Sequence, residues 1–255
     1  MVVSPDGTVG QDADKRGSGE SEVRAHGTDG ALDDLDMRVD TSFTPLYRFL
    51  RVLVHLINRI VFRTTVSPKG RVPSVGPVII APVHRSFIDF FVASEVTDRK
   101  LHYMAKDSLW KNGLLARILP TVGAFPVHRE SADREALRRA QQVLDAGEVL
   151  ILFPEGERRD GPVVADLHEG VAFLAARTGA TVVPVGIGGS ASVMPKGNKV
   201  PRPRHIHLEV GETIAPPERS GSGRVPRSRI HTLTEELTSS LQGLYDRSVE
   251  VTGRY

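Results

Sequence analysis

From residue 77 onward, short apolar runs alternate with segments of helical periodicity, and this alternation limits the folds open to the chain. The runs 78–81, 101–105, 123–127, 149–153, 181–187 and 206–210 read as strands. Between them, Ser86 is positioned to cap a helix running to about Val96. A second helix is expected over Ser108–Leu119, and Ser131 opens a third that ends near Gly147. Asp166 and Glu169 have capping-box spacing for a further helix that Gly179 stops. A Pro/Gly/Ser-rich loop over 216–227 precedes a last helix over roughly 228–249. Strands alternating with helices imply an α/β domain, with a largely parallel or mixed central sheet flanked by helices.

The segments before residue 77 differ in character. Residues 1–42 carry ten acids against four Lys or Arg and have little apolar content, so they read as a disordered acidic tail. They hold a net charge of −6; because the whole chain is +2, residues 43–255 hold +8. A basic folded part implies an anionic partner. In 43–66, Arg48, Arg51, His55, Arg59 and Arg63 share one helical face, with Leu46, Leu50, Leu53, Ile57, Ile60 and Val61 opposite. Such a helix suits a lipid interface, its arginines meeting anionic headgroups. A helix docked on its own domain with a solvated basic face has the same spacing. The expected organisation is therefore a tail over 1–42, a membrane-facing amphipathic helix over 43–66 and a folded domain over 67–255. No apolar run reaches the length of a span, and no signal peptide is visible. The absence of cysteine rules out disulfides, thiolate metal sites and a cysteine nucleophile. These features predict a cytoplasmic protein, peripheral on the inner face of the cell membrane.

In open α/β sheets, ligands bind outside the carboxyl ends of the strands. His84, Lys106, His128 with Arg129, and Glu155 with Arg158 each follow a predicted strand, so a parallel arrangement gathers them on one edge. Three pairs have His-x4-Asp spacing: His84/Asp89, His102/Asp107 and His128/Asp133. His102 lies inside a strand, Asp107 reads as a cap acid, and Asp133 suits a helix first turn. His84 lies in the turn before a helix, where its imidazole can face a ligand while Asp89 reaches back to one ring nitrogen. That makes His84 a general base and Asp89 its partner. Gly156, between Glu155 and Arg158, is expected to let backbone amides approach an anion. No G-x-S-x-G, H-E-x-x-H, P-loop or G-x-G-x-x-G motif occurs. His205 and His207 alternate on a strand without evident acidic partners and read as structural or exposed, so no metal site is expected.

The segment His84-Arg85-Ser86-Phe87-Ile88-Asp89 resembles the first motif of the 1-acylglycerol-3-phosphate O-acyltransferases, within the glycerolipid acyltransferase superfamily. Gly123–Arg129 is similar to the second motif, Phe153–Arg158 to the third and Val182–Gly186 to the fourth. Two departures stand out: Glu157 occupies a place usually held by Thr or Ser, and Leu167-His168-Glu169 precede Gly170 where Lys or Arg is common. The resemblance implies transfer of a fatty acyl group from acyl-CoA or acyl-carrier protein to a lysophospholipid hydroxyl, most simply 1-acylglycerol 3-phosphate giving phosphatidic acid. It implies His84 and Asp89 as the catalytic pair. The acceptor phosphate is expected to meet Lys106, Arg129, Gly156 and Arg158, with Glu155 ordering these basic groups or binding a glycerol hydroxyl. No cofactor or metal is expected. An anionic membrane surface is the expected partner, and nucleic acid is not, since aromatic interleaving is lacking. Acylation of another glycerolipid or glycophospholipid alcohol fits the same residues, as does a catalytically silent lipid-binding protein.

Overall fold

The computed structural model describes residues 42–127, 134–164, 167–195, 198, 200–218 and 225–254. Within them a seven-stranded sheet has the order β1-β7-β6-β2-β5-β3-β4. The strands are β1 (Thr65–Ser67), β2 (Val78–Pro82), β3 (Leu101–Lys106), β4 (Ala124–Val127), β5 (Val149–Ile151), β6 (Thr181–Gly188) and β7 (His207–Val210). The five from β6 to β4 in that order run parallel. β7 is antiparallel to β6, and β1 is parallel to β7. The sheet is thus mixed, its parallel part central. β2 is buried at all five positions, as expected of a strand covered on both faces. β1 went unread in the sequence because Thr-Val-Ser is too short to show a period.

The helices are α1 (Pro45–Ile60), α2 (Asp89–Val92), α3 (Gly113–Thr121), α4 (Arg134–Asp145), α5 (Gly170–Thr178), α6 (Ser190–Val193) and α7 (Arg227–Thr252). The helix expected from Ser86 starts later, at Asp89, and turns 3-10 over Ala93–Val96. The cause is local. Asp89 Oδ2 accepts from the amides of Arg85 and Ser86, both at 2.7 Å, and holds residues 85 and 86 out of the helix. The expected capping box before α5 is corrected as well: Glu169 is itself the N-cap residue and makes no side-chain cap bond, and Asp166 lies outside the described residues. Gly179 ends α5 at φ 74°, as read. Ser131 and residues 1–41 also lie outside the described residues.

α7 covers β6 at very close range. A Cβ on Gly186 would run into the Leu244 carbonyl, and one on Gly188 into the Ser248 carbonyl. The glycines on β6 therefore let the helix backbone rest directly on the strand. From that position Leu237, Leu241 and Tyr245 enter the core.

α1 belongs to the same compact unit as the sheet, residues 38–255. Its orientation corrects the sequence reading. Arg51, expected to face outward, donates to the carbonyls of Thr97 at 2.7 Å and Arg99 at 3.0 Å. His55 Nδ1 lies 2.8 Å from Glu95 Oε2. Asn58 donates to Phe91 O at 3.1 Å and to Glu95 Oε1 at 2.9 Å. The helix docks through polar groups, while Leu46, Phe49, Leu53, Leu56, Ile57 and Ile60 are exposed. Arg48, Arg59 and Arg63 remain exposed to one side. No helix among the described residues is long and apolar enough to cross a membrane.

Candidate active site

His84 follows β2, two residues past its end. Its Nδ1 lies 3.0 Å from Asp89 Oδ2, the same oxygen that receives the two turn amides. Asp89 is thus both the helix-start acid and the imidazole's partner. An ionised carboxylate can only accept, so Nδ1 carries the proton and Nε2 is left able to accept one. The imidazole stacks on Phe153 at 4.1 Å between ring centroids, and Phe90 meets it edge-on at 5.4 Å. Both carbon rings restrict how the imidazole can turn.

A cavity of about 370 Å³ opens beside His84. That size lies in the range of ligand pockets. Leu50 and Val54 of α1 line the cavity, together with Leu101, Tyr103, Leu119, Val122 and Ala124. Its lining is apolar except for His84, Lys106, Ser108 and Arg158, and for Tyr47, Arg51, Ser94 and Tyr103. Burial pushes the Tyr103 hydroxyl well above its ordinary value, so it stays neutral. The convergence expected from strand order is present for three residues: Lys106 ends β3, His84 and Arg158 follow β2 and β5, and all three line one cavity. Arg129, with His128 and Asp133, lies outside the described residues.

The roles expected of Glu155 and Gly156 at the phosphate site are corrected. Glu155 is fully buried, and Arg85 Nη1 lies 2.7 Å from both of its oxygens. Its Oε2 also accepts from the His84 amide at 2.8 Å. Glu155 therefore orders Arg85 and the catalytic turn and has no face toward a ligand. The Gly156 amide is spent on Phe153 O at 3.1 Å and does not await an anion. Glycine is required there by φ 71° and because a Cβ would sit 2.7 Å from the His168 ring. His207 is structural, as read, though it does have an acidic neighbour: Nε2 lies 3.2 Å from Glu209 and Nδ1 lies 2.7 Å from Thr65 Oγ1. No group of His, Asp and Glu able to hold a metal occurs among the described residues.

Arg85 is the residue that the sequence reading passed over. Besides Glu155, it donates to Gly161 O at 3.2 Å and Val163 O at 3.1 Å, and its guanidinium lies 4.9 Å from the Tyr245 ring centroid. Its place between His84 and Ser86 was the available signal. Tyr245, by contrast, is one aromatic in a long helix and gave none.

Residues 63–188 match the acyltransferase family. That span is an acyltransferase-family domain. The acyltransferase is 25% identical over 204 residues to the 1-acyl-sn-glycerol-3-phosphate acyltransferase of Bacillus subtilis (strain 168), an alignment covering 79% of this chain and 98% of that one. It is 23% identical over 181 residues to a 1-acyl-sn-glycerol-3-phosphate acyltransferase of Chlamydomonas reinhardtii, covering 66% of this chain and 54% of the algal protein. Its fold is that of the crystal structure of the 1-acyl-sn-glycerophosphate acyltransferase PlsC from Thermotoga maritima, with a TM-score of 0.61, 22% identity and 82% of each chain covered. The acyltransferase is an O-acyltransferase by this relationship, and the motif-bearing segments His84–Asp89 and Phe153–Arg158 both fall inside the matched span.

Proposed function

We propose that the enzyme transfers a fatty acyl group from acyl-CoA or acyl-carrier protein to the free hydroxyl of 1-acylglycerol 3-phosphate, yielding phosphatidic acid. The observation that carries this reading is the His84–Asp89 pair at 3.0 Å beside an apolar cavity that also bears Lys106 and Arg158. His84 Nε2 takes the proton of the acceptor hydroxyl as its oxygen attacks the thioester carbonyl. The thiolate then leaves with that proton, and Asp89 holds the imidazole through both steps. Lys106 and Arg158 hold the acceptor phosphate, and Arg129 is assigned to the same task from its place in the second motif. The cavity suits an acyl chain, since its walls are Leu, Val and Phe. No cofactor is needed for this chemistry.

The exposed apolar stripe on α1 supports a membrane surface as partner. Such a stripe costs free energy in water that a bilayer interface removes. The neighbouring Arg48, Arg59 and Arg63 suit anionic headgroups. On this reading the enzyme sits peripherally on the inner face of the cell membrane. The test is acyl transfer to 1-acylglycerol 3-phosphate and to its dephosphorylated counterpart, followed by mass spectrometry of the products. Wild type should strongly prefer the phosphorylated acceptor, and Arg158→Ala should lose about ten- to a hundredfold in kcat/KM on that acceptor alone. An equal loss on both acceptors would mean that Arg158 supports the fold instead.

A further inference from the structure

Three charges are sealed beneath the catalytic turn. Asp89 and Glu155 are fully buried and Arg85 is 5% exposed. Asp89 serves the His84 ring, Glu155 serves the His84 backbone amide, and Arg85 pairs with Glu155. The nearby cations lie outside this sealed group: Lys106 and Arg158 are exposed in the cavity, and Arg159 is part-exposed, 3.6 Å from Glu157. With His84 neutral, two carboxylates against one guanidinium leave the buried group one negative charge in excess. When His84 takes the hydroxyl proton, the sum becomes zero. In a low-dielectric site, such a change in net charge favours the protonated state of the reacting complex.

We infer that Glu155 is a positioning residue whose charge, acting through the His84 turn and balanced by Arg85, favours proton removal from the acceptor. The inference rests on the acyl-transfer reading above. It extends that reading to a residue that touches neither acceptor nor donor. Two features of the site carry it. Glu155 is fully buried, and both its oxygens are engaged inside the protein. The carboxylate is also absent from the cavity walls, although Arg158, three residues on, is part of them.

The charge argument makes a prediction that a purely structural role does not. Glu155→Gln keeps an oxygen for the His84 amide but removes the charge, leaving the group neutral before proton transfer and positive after it. Arg85→Met combined with Glu155→Gln restores the wild-type charge sum while deleting more contacts. The steady-state kinetics of wild type, Glu155→Gln, Glu155→Asp and the double variant are compared on the acceptor that wild type acylates best, with His84→Ala as the inactive reference. Thermal unfolding of each variant fixes an assay temperature at which all are folded. Glu155→Gln should lower kcat by roughly ten- to a hundredfold with the acceptor KM little changed. The double variant should recover a large part of that loss, and Glu155→Asp should stay well above Glu155→Gln. A raised acceptor KM at unchanged kcat would instead put Glu155 in contact with the acceptor. A double variant no faster than Glu155→Gln, or an Asp variant equally slow, would reduce the pair to scaffolding. If Glu155→Gln does not fold, the double variant against Glu155→Asp decides. Absence of acyl transfer by wild type to any lysolipid would overturn the acyl-transfer reading itself, and the inference with it.

Discussion

Asp89 Oδ2 accepts from three donors, the His84 ring and the amides of Arg85 and Ser86. One atom thus sets both the tautomer of the imidazole and the path of the turn that carries it. His84→Ala should cut acyl transfer by about 10²–10⁴-fold, the usual loss for a general base. Asp89→Asn should be severe in activity and also lower stability by about 1–3 kcal/mol, because a buried acceptor of charge-assisted bonds is weakened. Asp107 has the same spacing from His102, yet its Oδ1 accepts from the adjacent Ser108 amide at the start of a 3-10 turn. Asp107→Asn should therefore stay within about 0.5 kcal/mol of wild type and keep its activity. Kinetics and urea unfolding of the three variants check this, and normal transfer by Asp89→Asn would remove the dyad. At this scale the sequence was informative about the dyad, because a His-x4-Asp pair at a strand end leaves few other roles. It misassigned Glu155. An acid beside Arg158 and Gly156 suggests a ligand site, and only the fold reveals that Arg85 takes both its oxygens.

At the scale of elements, six of the seven strands were legible and the faces of α1 were not. Burial makes β2, β5 and most of β6 continuous apolar runs, which a sequence displays directly. An amphipathic helix displays two faces without saying which one meets the protein. α1 turns Arg51 and Asn58 inward because the chain beneath it offers Thr97 and Arg99 carbonyls and the Glu95 carboxylate, groups that need donors. Its membrane interaction should accordingly depend chiefly on the apolar stripe. Leu53, Ile57 and Ile60 changed together to Ser should weaken co-sedimentation with vesicles by roughly a hundredfold or more, since each large side chain contributes about 1.5–3 kcal/mol on burial. Arg48→Gln with Arg59→Gln should weaken it less, and only for anionic vesicles at low salt. Equal binding by all three proteins would discard the stripe as the contact.

For the molecule as a whole, the mixed sheet and the gathering of His84, Lys106 and Arg158 at one edge followed from strand order. The contribution of α7 did not, because its contacts join residues 186 and 188 to residues 244 and 248, far apart in the chain. Gly188→Ala should destabilise the fold by about 1–3 kcal/mol, as overpacking does, whereas Val251→Ala on the exposed side of α7 should be nearly neutral. Urea midpoints compare them, and an unchanged midpoint for Gly188→Ala would mean that the helix can lift away freely. The glycine contact has a mechanical meaning as well. Side chains that separate a helix from a sheet act as springs, since they can change rotamer. Backbone against backbone is a hard stop. α7 can neither settle closer to β6 nor roll without climbing over a carbonyl, so it behaves as a splint. Tyr245, set on that splint under Arg85, gives the buried charges a floor whose height is fixed by covalent geometry.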